Sequence, residues 1–243
     1  MEVNKIYCEN CIDTMARMPD VFVDLTVTSP PYDGLRNYNG YSFPFKDIAK
    51  ELFRVTKDGG VVVWIVGDVT VKGSETGTSF RQALYFMECG FKLHDTMIYE
   101  KNSSSFPARA ESNRYTQIFE YMFVFAKGKI EKNRLICDKP NKWAGFKDFS
   151  GKIKNPVPDF SPRNNIWKFT TSFNGVKHPA PFPEQLANDH ILSWSNYGDL
   201  VYDPFMGSGT TAKMALLNKR NYIGSEISKE YCEIAEKRIN ENL

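Results

Sequence analysis

The sequence predicts an α/β fold: a doubly wound, mainly parallel sheet with an antiparallel hairpin at one edge. Three observations carry this. Short apolar runs alternate with segments of helical periodicity along most of the 243 residues, as successive strand–helix–strand units do. VVVWIV (61–66) is apolar throughout and bounded by glycines, as expected of a strand buried on both faces. Two strand-like stretches, 91–101 and 117–129, follow one another with only a polar loop between them, which predicts the hairpin. The length suits one large domain carrying an insertion.

Each element has its own signal. KIYC (5–8) reads as a short strand. IDTMARM (12–18) reads as a short helix stopped by Pro19. VDLTVT (23–28) is a strand that ends at Pro30-Pro31. FKDIAKELFRVTKDGG (45–60) places Ile48, Leu52 and Val55 on one helical face and closes on Gly59-Gly60. After the strand 61–66, SFRQALYFMECG (79–90) is helical and ends at Gly90. Residues 130–177 carry scattered prolines, basics and aromatics, which predicts an irregular insertion. PEQLANDHILSWS (183–195) is a helix with Pro183 in its first turn. DLVYDPF (199–205) and NYIGSEI (221–227) are strands around the helix TTAKMALLNK (210–219), and KEYCEIAEKRINENL closes the chain as a helix.

Composition narrows the class. Charged residues are 25% and hydrophobics 42%, ordinary for a globular protein in water. No apolar run approaches the roughly 20 residues that span a bilayer, and MEVNKIYCEN lacks the form of a signal peptide. A cytoplasmic protein is expected. Five cysteines, an odd number, argue for free thiols. Cys8 and Cys11 form a lone C-x-x-C without the second pair a zinc site needs, so no metal is expected. The net charge of +2 is uneven. Residues 127–177 hold twelve Lys and Arg against four Asp and Glu, +8 over that stretch against −6 for the rest. A basic segment on an acidic body suits a polyanionic partner.

Two turns carry chemistry. TSPPY (28–32) ends an apolar strand with consecutive prolines, which can continue neither a ladder nor a helix. It leaves Ser29 and Tyr32 at the strand end. DPFMGSGTTA (203–212) contains G-x-G-x-x-A at Gly207, Gly209 and Ala212, between a strand and a helix, with Glu226 ending the next strand. That context is a nucleotide-binding turn, in which a carboxylate accepts from ribose hydroxyls. No lysine follows the glycines as a phosphate-binding loop requires. Asp203 at the strand exit suits a cationic amino group better than a pyrophosphate. The remaining 31 residues after Ala212 are too few to complete a sheet downstream. The nucleotide unit therefore comes last and the reactive turn first.

Joined around the basic insertion, these segments resemble the β class of S-adenosylmethionine-dependent DNA amino-methyltransferases over nearly the whole chain. VDLTVTSPPY is similar to the family's catalytic segment, and DLVYDPFMGSGTT with YIGSEI to its cofactor segments. FKDIAKELFRVTKDGGVVVW, RYTQIFEYMFVFAKGK, HPAPFPEQLA and YCENCIDTM resemble its connecting elements. The resemblance implies a Rossmann-like methyltransferase with permuted segment order: a catalytic half at 1–129, a target-recognition insertion at 130–177 and a cofactor half at 178–243. It implies that Asp203, Pro204, Phe205, Gly207, Ser208, Gly209 and Thr210 surround the methionine part of S-adenosylmethionine. Glu226 would hold the ribose, Asn10, Cys11 and Ile227 would lie near the adenine, and His178 would help close the pocket. The family more often has Asp where Asn10 stands.

The chemistry expected of TSPPY follows. An exocyclic amino group is a poor nucleophile because its lone pair is conjugated with the ring. Ser29 Oγ and the Pro30 carbonyl can accept its two hydrogens and draw the nitrogen towards sp³, with Pro31 fixing the carbonyl's direction. Tyr32 would stack on a base flipped out of the duplex. No Pro-Cys dipeptide occurs, as a ring-carbon methyltransferase would require. By resemblance, serine at the first position favours N4 of cytosine over N6 of adenine, although a hydroxyl can accept from either amino group. Lysines of 130–177 would meet the phosphates of double-stranded DNA. Arg134, Arg163, Asn164 and Asn165 are candidate base readers, and Arg109 and Arg114 candidate DNA contacts. So small an insertion points to a short site, with a dimer or partner completing it. The expected partners are a second copy of the chain in a homodimer or a cognate restriction endonuclease, in a restriction-modification or phage setting. The alternatives are an adenine-N6 enzyme, a catalytically silent DNA-binding relative and an RNA methyltransferase.

Overall fold

The computed structural model describes residues 1–31, 43–102, 113–130, 135–142, 144–145, 150–152, 157–169 and 183–241. Its elements in chain order are β1 (Lys5–Tyr7), α1 (Cys11–Ala16), β2 (Val23–Thr28), α2 (Phe45–Val55), β3 (Thr56–Val66), β4 (Thr70–Val71), β5 (Ser74–Glu75), α3 (Thr78–Glu88), β6 (Lys92–Lys101), β7 (Phe119–Ala126), β8 (Lys139–Pro140), β9 (Phe160–Ser161), β10 (Ile166–Phe169), α4 (Glu184–Trp194), β11 (Leu200–Asp203), α5 (Thr210–Leu217), β12 (Asn221–Ser225) and α6 (Lys229–Asn240). Eight strands form one sheet in the order β1-β12-β11-β2-β3-β7-β6-β10. The pairings are parallel except those of β7 with β3 and β6. Only β7 among these strands is therefore reversed, and the other seven all end on one edge of the sheet.

Alternation along the strands divides the core into two layers. Val61, Val63 and Ile65 of β3 face a layer that includes Leu186 and Ile191 of α4, Ala212 and Ala215 of α5, and Ala235 and Ile239 of α6. Val62, Trp64 and Val66 face the other layer, with Met15 of α1, Ile48 and Leu52 of α2, and Phe86 of α3. A strand with this period of two and both faces covered reads as a continuous apolar run, as 61–66 does. Helix α2 carries the chain from β2 to β3 over one face, and α5 carries it from β11 to β12 over the other. β2 and β11 are neighbours, so the connections diverge between them. The crevice outside the carboxyl ends of strands at such a switch point is where open α/β sheets bind ligands.

The structure departs from the sequence reading in three places. Residues 56–60 do not end helix α2; they begin β3. Gly59 (φ +81) and Gly60 bulge there, shifting the register on β2 between Val23 and Leu25. A side chain at Gly60 would meet the Asp24 and Lys57 carbonyls at 3.0 and 2.8 Å. The hairpin of β6 and β7 is present, and β10 adds a parallel strand outside it. Residues 166–169, expected to be irregular, thus belong to the main sheet. Pro183 is the residue before α4 rather than part of its first turn. No helix among the described residues is long and apolar enough to cross a membrane.

Candidate active site and cofactor cleft

The chain leaves β2 through Ser29 (half-buried), Pro30 (buried) and Pro31 (half-buried). Tyr32 lies outside the described residues. What fixes this exit is the residue before it. Thr28 is fully buried, and its hydroxyl donates to Asp203 Oδ1 at 2.7 Å, tying the end of β2 to the end of β11. The Phe205 N–H donates to the same oxygen at 3.0 Å. Thr211 at the start of α5 places its hydroxyl 3.2 Å from the Val27 carbonyl and beside the Asp203 carboxyl, with one proton to share between them. Asp203 is only 1% exposed. Burial pushes its pKa up to about 6 against the pull of these hydrogen bonds. Pro204 beyond it is buried. Phe205 packs edge-on against Phe43 and Trp64, with ring centroids at 5.7 and 6.1 Å.

The glycine turn is folded onto the end of β12. Gly207 sits at φ +51, and its N–H donates to Glu226 Oε2 at 2.8 Å. The Ser228 N–H donates to Oε1 of the same carboxylate at 2.8 Å. Each oxygen keeps acceptor capacity beyond these bonds. Burial raises the Glu226 pKa and the backbone N–H groups oppose it. Met206 lies over Gly224 so closely that a side chain there would meet its Cε at 2.1 Å. Ser208 and Thr210 are both 3% exposed. Across the cleft floor the Glu226 N–H donates to the Tyr7 carbonyl at 3.1 Å, which brings the start of α1 alongside. Asn10 caps α1 by accepting from the Ile12 N–H at 2.9 Å. Cys11 is buried, its thiol pushed up to about 12 by that burial. Ile227 is 37% exposed. His178 lies outside the described residues.

A family model described as DNA methylase, the N6/N4 methyltransferase family, matches residues 23–237. The chain belongs to the DNA methylase family. Among curated relatives, the orphan methyltransferase M.BamHII of Bacillus amyloliquefaciens is 61% identical, covering 90% of this chain and 89% of its own. The type II methyltransferase M.BglII of Bacillus subtilis is 28% identical, covering 96% and 68%. Among solved structures, a modification methylase of Thermus thermophilus in complex with S-adenosyl-L-methionine superposes with TM-score 0.71 at 25% identity, covering 98% and 93%. The cytosine-N4-specific PvuII DNA methyltransferase superposes with TM-score 0.74 at 21% identity, covering 100% and 92%, and so shares the fold. The methylase uses S-adenosylmethionine, and its cleft fits that group. A buried carboxyl and a second carboxylate end adjacent strands, and between them lies a turn with glycines at φ +51 and +82. Those suit a cationic amino acid end and a ribose diol.

The methylase's expected DNA contacts divide differently. Arg109 and Arg134 lie outside the described residues. Arg114 donates to the Gly73 carbonyl and lies 4.0 Å from Glu75, turned onto the β4–β5 hairpin. Arg163 bridges Asp138 (Nε at 2.8 Å) and the buried Asp189 (Nη1 at 2.6 Å), with its guanidinium 5.2 Å over the Trp167 ring. Asn164 accepts from Lys139 at 2.9 Å. Asn165 donates to the Thr96 carbonyl at 3.1 Å, and its own carbonyl accepts from the Ile98 N–H at 2.8 Å. Arg163 and Asn165 hold the entry to β10 against α4 and β6, and Asn164 ties it to β8.

Sequence reasoning missed three groups. Thr28 stands in the quoted turn, but its role needs a partner on a distant strand. His190 on α4 is fully buried, stacks 4.6 Å from Trp167 and accepts from Trp194 Nε1 at 3.2 Å. Arg238 on α6 reaches the glycine turn: its Nη1 lies 3.1 Å from the Ser208 carbonyl, 3.2 Å from Ser208 Oγ and 3.0 Å from Thr210 Oγ1. Only an internal arginine on a closing helix could have hinted at the last.

Proposed function

We propose that this methylase transfers a methyl group to N4 of cytosine in double-stranded DNA. The observation that carries it is Ser29 at the end of β2, one residue beyond the buried Thr28–Asp203 hydrogen bond of 2.7 Å. That bond holds the acceptor turn and the cofactor turn in one frame, so the reacting groups meet without a further search, which is where proximity contributes to rate. Ser29 Oγ and the Pro30 carbonyl accept the two amino hydrogens of the flipped base and release the nitrogen lone pair from the ring. Pro31 fixes the carbonyl's direction, and Tyr32 stacks on the base. The cofactor, when bound, supplies an electrophilic methyl on its sulfonium. Asp203, Phe205, Gly207, Ser208, Gly209 and Thr210 hold its methionine part, Glu226 its ribose, and Asn10, Cys11 and Ile227 its adenine end. His178 closes that pocket.

Residues 1–129 and 178–243 supply the catalytic and cofactor halves, and the basic 130–177 segment meets phosphate. The type II names of several relatives support a restriction-modification setting. The relative named an orphan methyltransferase supports the other reading, a methylase that acts without a nuclease of its own. The second reading is N6 of adenine, because Ser29 Oγ accepts from either amino group. The test of the turn is Ser29→Ala. Turnover on DNA should fall about a hundredfold or more, as when an oxyanion-hole donor is removed, while S-adenosylmethionine binding by calorimetry stays within about twofold. Full turnover in the variant would remove Ser29 from the mechanism.

A further inference from the structure

Arg238 lies on α6, outside the residues placed around the cofactor, yet its side chain is only 13% exposed and its guanidinium is addressed to the glycine turn. Three acceptors of that turn crowd Nη1 at 3.0–3.2 Å, and two of them are the hydroxyls of Ser208 and Thr210. Nη2 pairs with Glu184 at the start of α4, and Lys213 of α5 pairs with the same carboxylate oxygen at 2.8 Å. Burial works against the charge on Glu184, but Lys213 and Arg238 together hold its carboxyl below the ordinary range. Two cations thus share this one carboxylate oxygen of Glu184. The approach of α6 is itself built in. Gly209 stands at φ +82, and a side chain there would meet Ala235 Cβ at 2.9 Å. Ala235 and Arg238 are three residues apart on one helix face. The missing Cβ therefore brings the guanidinium within reach.

A guanidinium only donates. Towards Nη1, whose two hydrogens the Ser208 carbonyl also shares, Ser208 Oγ and Thr210 Oγ1 can act only as acceptors, which leaves both hydroxyl protons directed elsewhere and polarised by the charge behind them. We propose that Arg238 is a positioning residue for the cofactor: it turns the Ser208 and Thr210 hydroxyls outward as donors to the carboxylate of the cofactor's amino acid end. This rests on the reading that the turn holds the methionine part.

The test is titration calorimetry of the full chain with S-adenosylmethionine and with its decarboxylated analogue, alongside thermal unfolding. The wild type should bind the carboxylate-bearing form more tightly. Arg238→Gln should weaken that form about tenfold, the scale of losing charge-assisted hydrogen bonds, and leave the decarboxylated form unchanged. Arg238→Lys, which keeps the charge and loses the fork, should fall between and decides the matter if the glutamine variant does not fold. Equal weakening of both compounds, or of neither, would overturn the role of Arg238. A wild type that does not distinguish the two compounds would instead overturn the placement of the amino acid end at this turn.

Discussion

At Asp203 burial favours the protonated carboxyl, whereas hydrogen bonds from Thr28 and the Phe205 N–H favour the carboxylate, and the balance lies at about 6. A cation bound nearby shifts that balance towards the charged form, so cofactor binding and proton release are linked. Affinity for S-adenosylmethionine should fall as pH drops below about 6, approaching about tenfold per unit, and calorimetry across pH 5–8 measures it. Asp203→Asn should bind more weakly and with a flat profile; an unchanged profile would separate Asp203 from the cofactor's charge. Thr28 can be tested without touching the carboxyl. Thr28→Val keeps the shape and removes the donor to a buried acid, at a cost of about 2 kcal/mol in urea unfolding at pH 7. No loss would mean that the bond between β2 and β11 contributes nothing net. Both turns were legible as sequence because their residues are contiguous. The bond joining them was not, because its partners are 175 residues apart.

Between elements, β10 and α4 are held by one column of side chains. Arg163 lies on Trp167, Trp167 on His190, and His190 is capped by Trp194, while Asp189 takes the guanidinium. Burial pushes the His190 pKa down to about 3 from 6.5. A base with a depressed folded pKa contributes stability above its unfolded pKa and loses it as pH falls. Unfolding free energy should therefore decline from about pH 6.5 towards 3, by about 1.4 kcal/mol per unit for one proton. Asp203 has a raised folded pKa and works the other way: its protonated form favours the fold below about 3.8, and that contribution is lost as pH rises through about 6. The acid-side decline should thus be steeper in Asp203→Asn, as urea melts across pH 4–7 would measure. An identical slope would contradict this assignment of protons. Sequence reading named Arg163 a candidate base reader because an arginine can pair bidentately with a base edge. Its partners Asp138 and Asp189 lie 25 and 26 residues away and were not legible. β10 was hidden because four residues are too few to show alternation. The stretch TKDGG likewise fits a helix stop as well as the bulge it forms, since both need glycine.

Across the whole molecule, the alternation of strands and helices was enough to give a mainly parallel sheet, because burial on both faces leaves a long apolar signature in 61–66 and 119–126. The topology then places β2 and β11 side by side where the connections diverge, and the two turns quoted from opposite ends of the chain meet there. The family match over residues 23–237 agrees with that meeting and brings the use of S-adenosylmethionine with it. Neither fixes the base, because one hydroxyl at Ser29 can accept from either amino group. The most direct test is to methylate DNA with the purified enzyme, digest it to nucleosides and identify the product by mass and chromatographic standard. The account predicts N4-methylcytosine. N6-methyladenine alone would contradict the choice of base, and 5-methylcytosine would contradict methylation of an exocyclic amino group altogether.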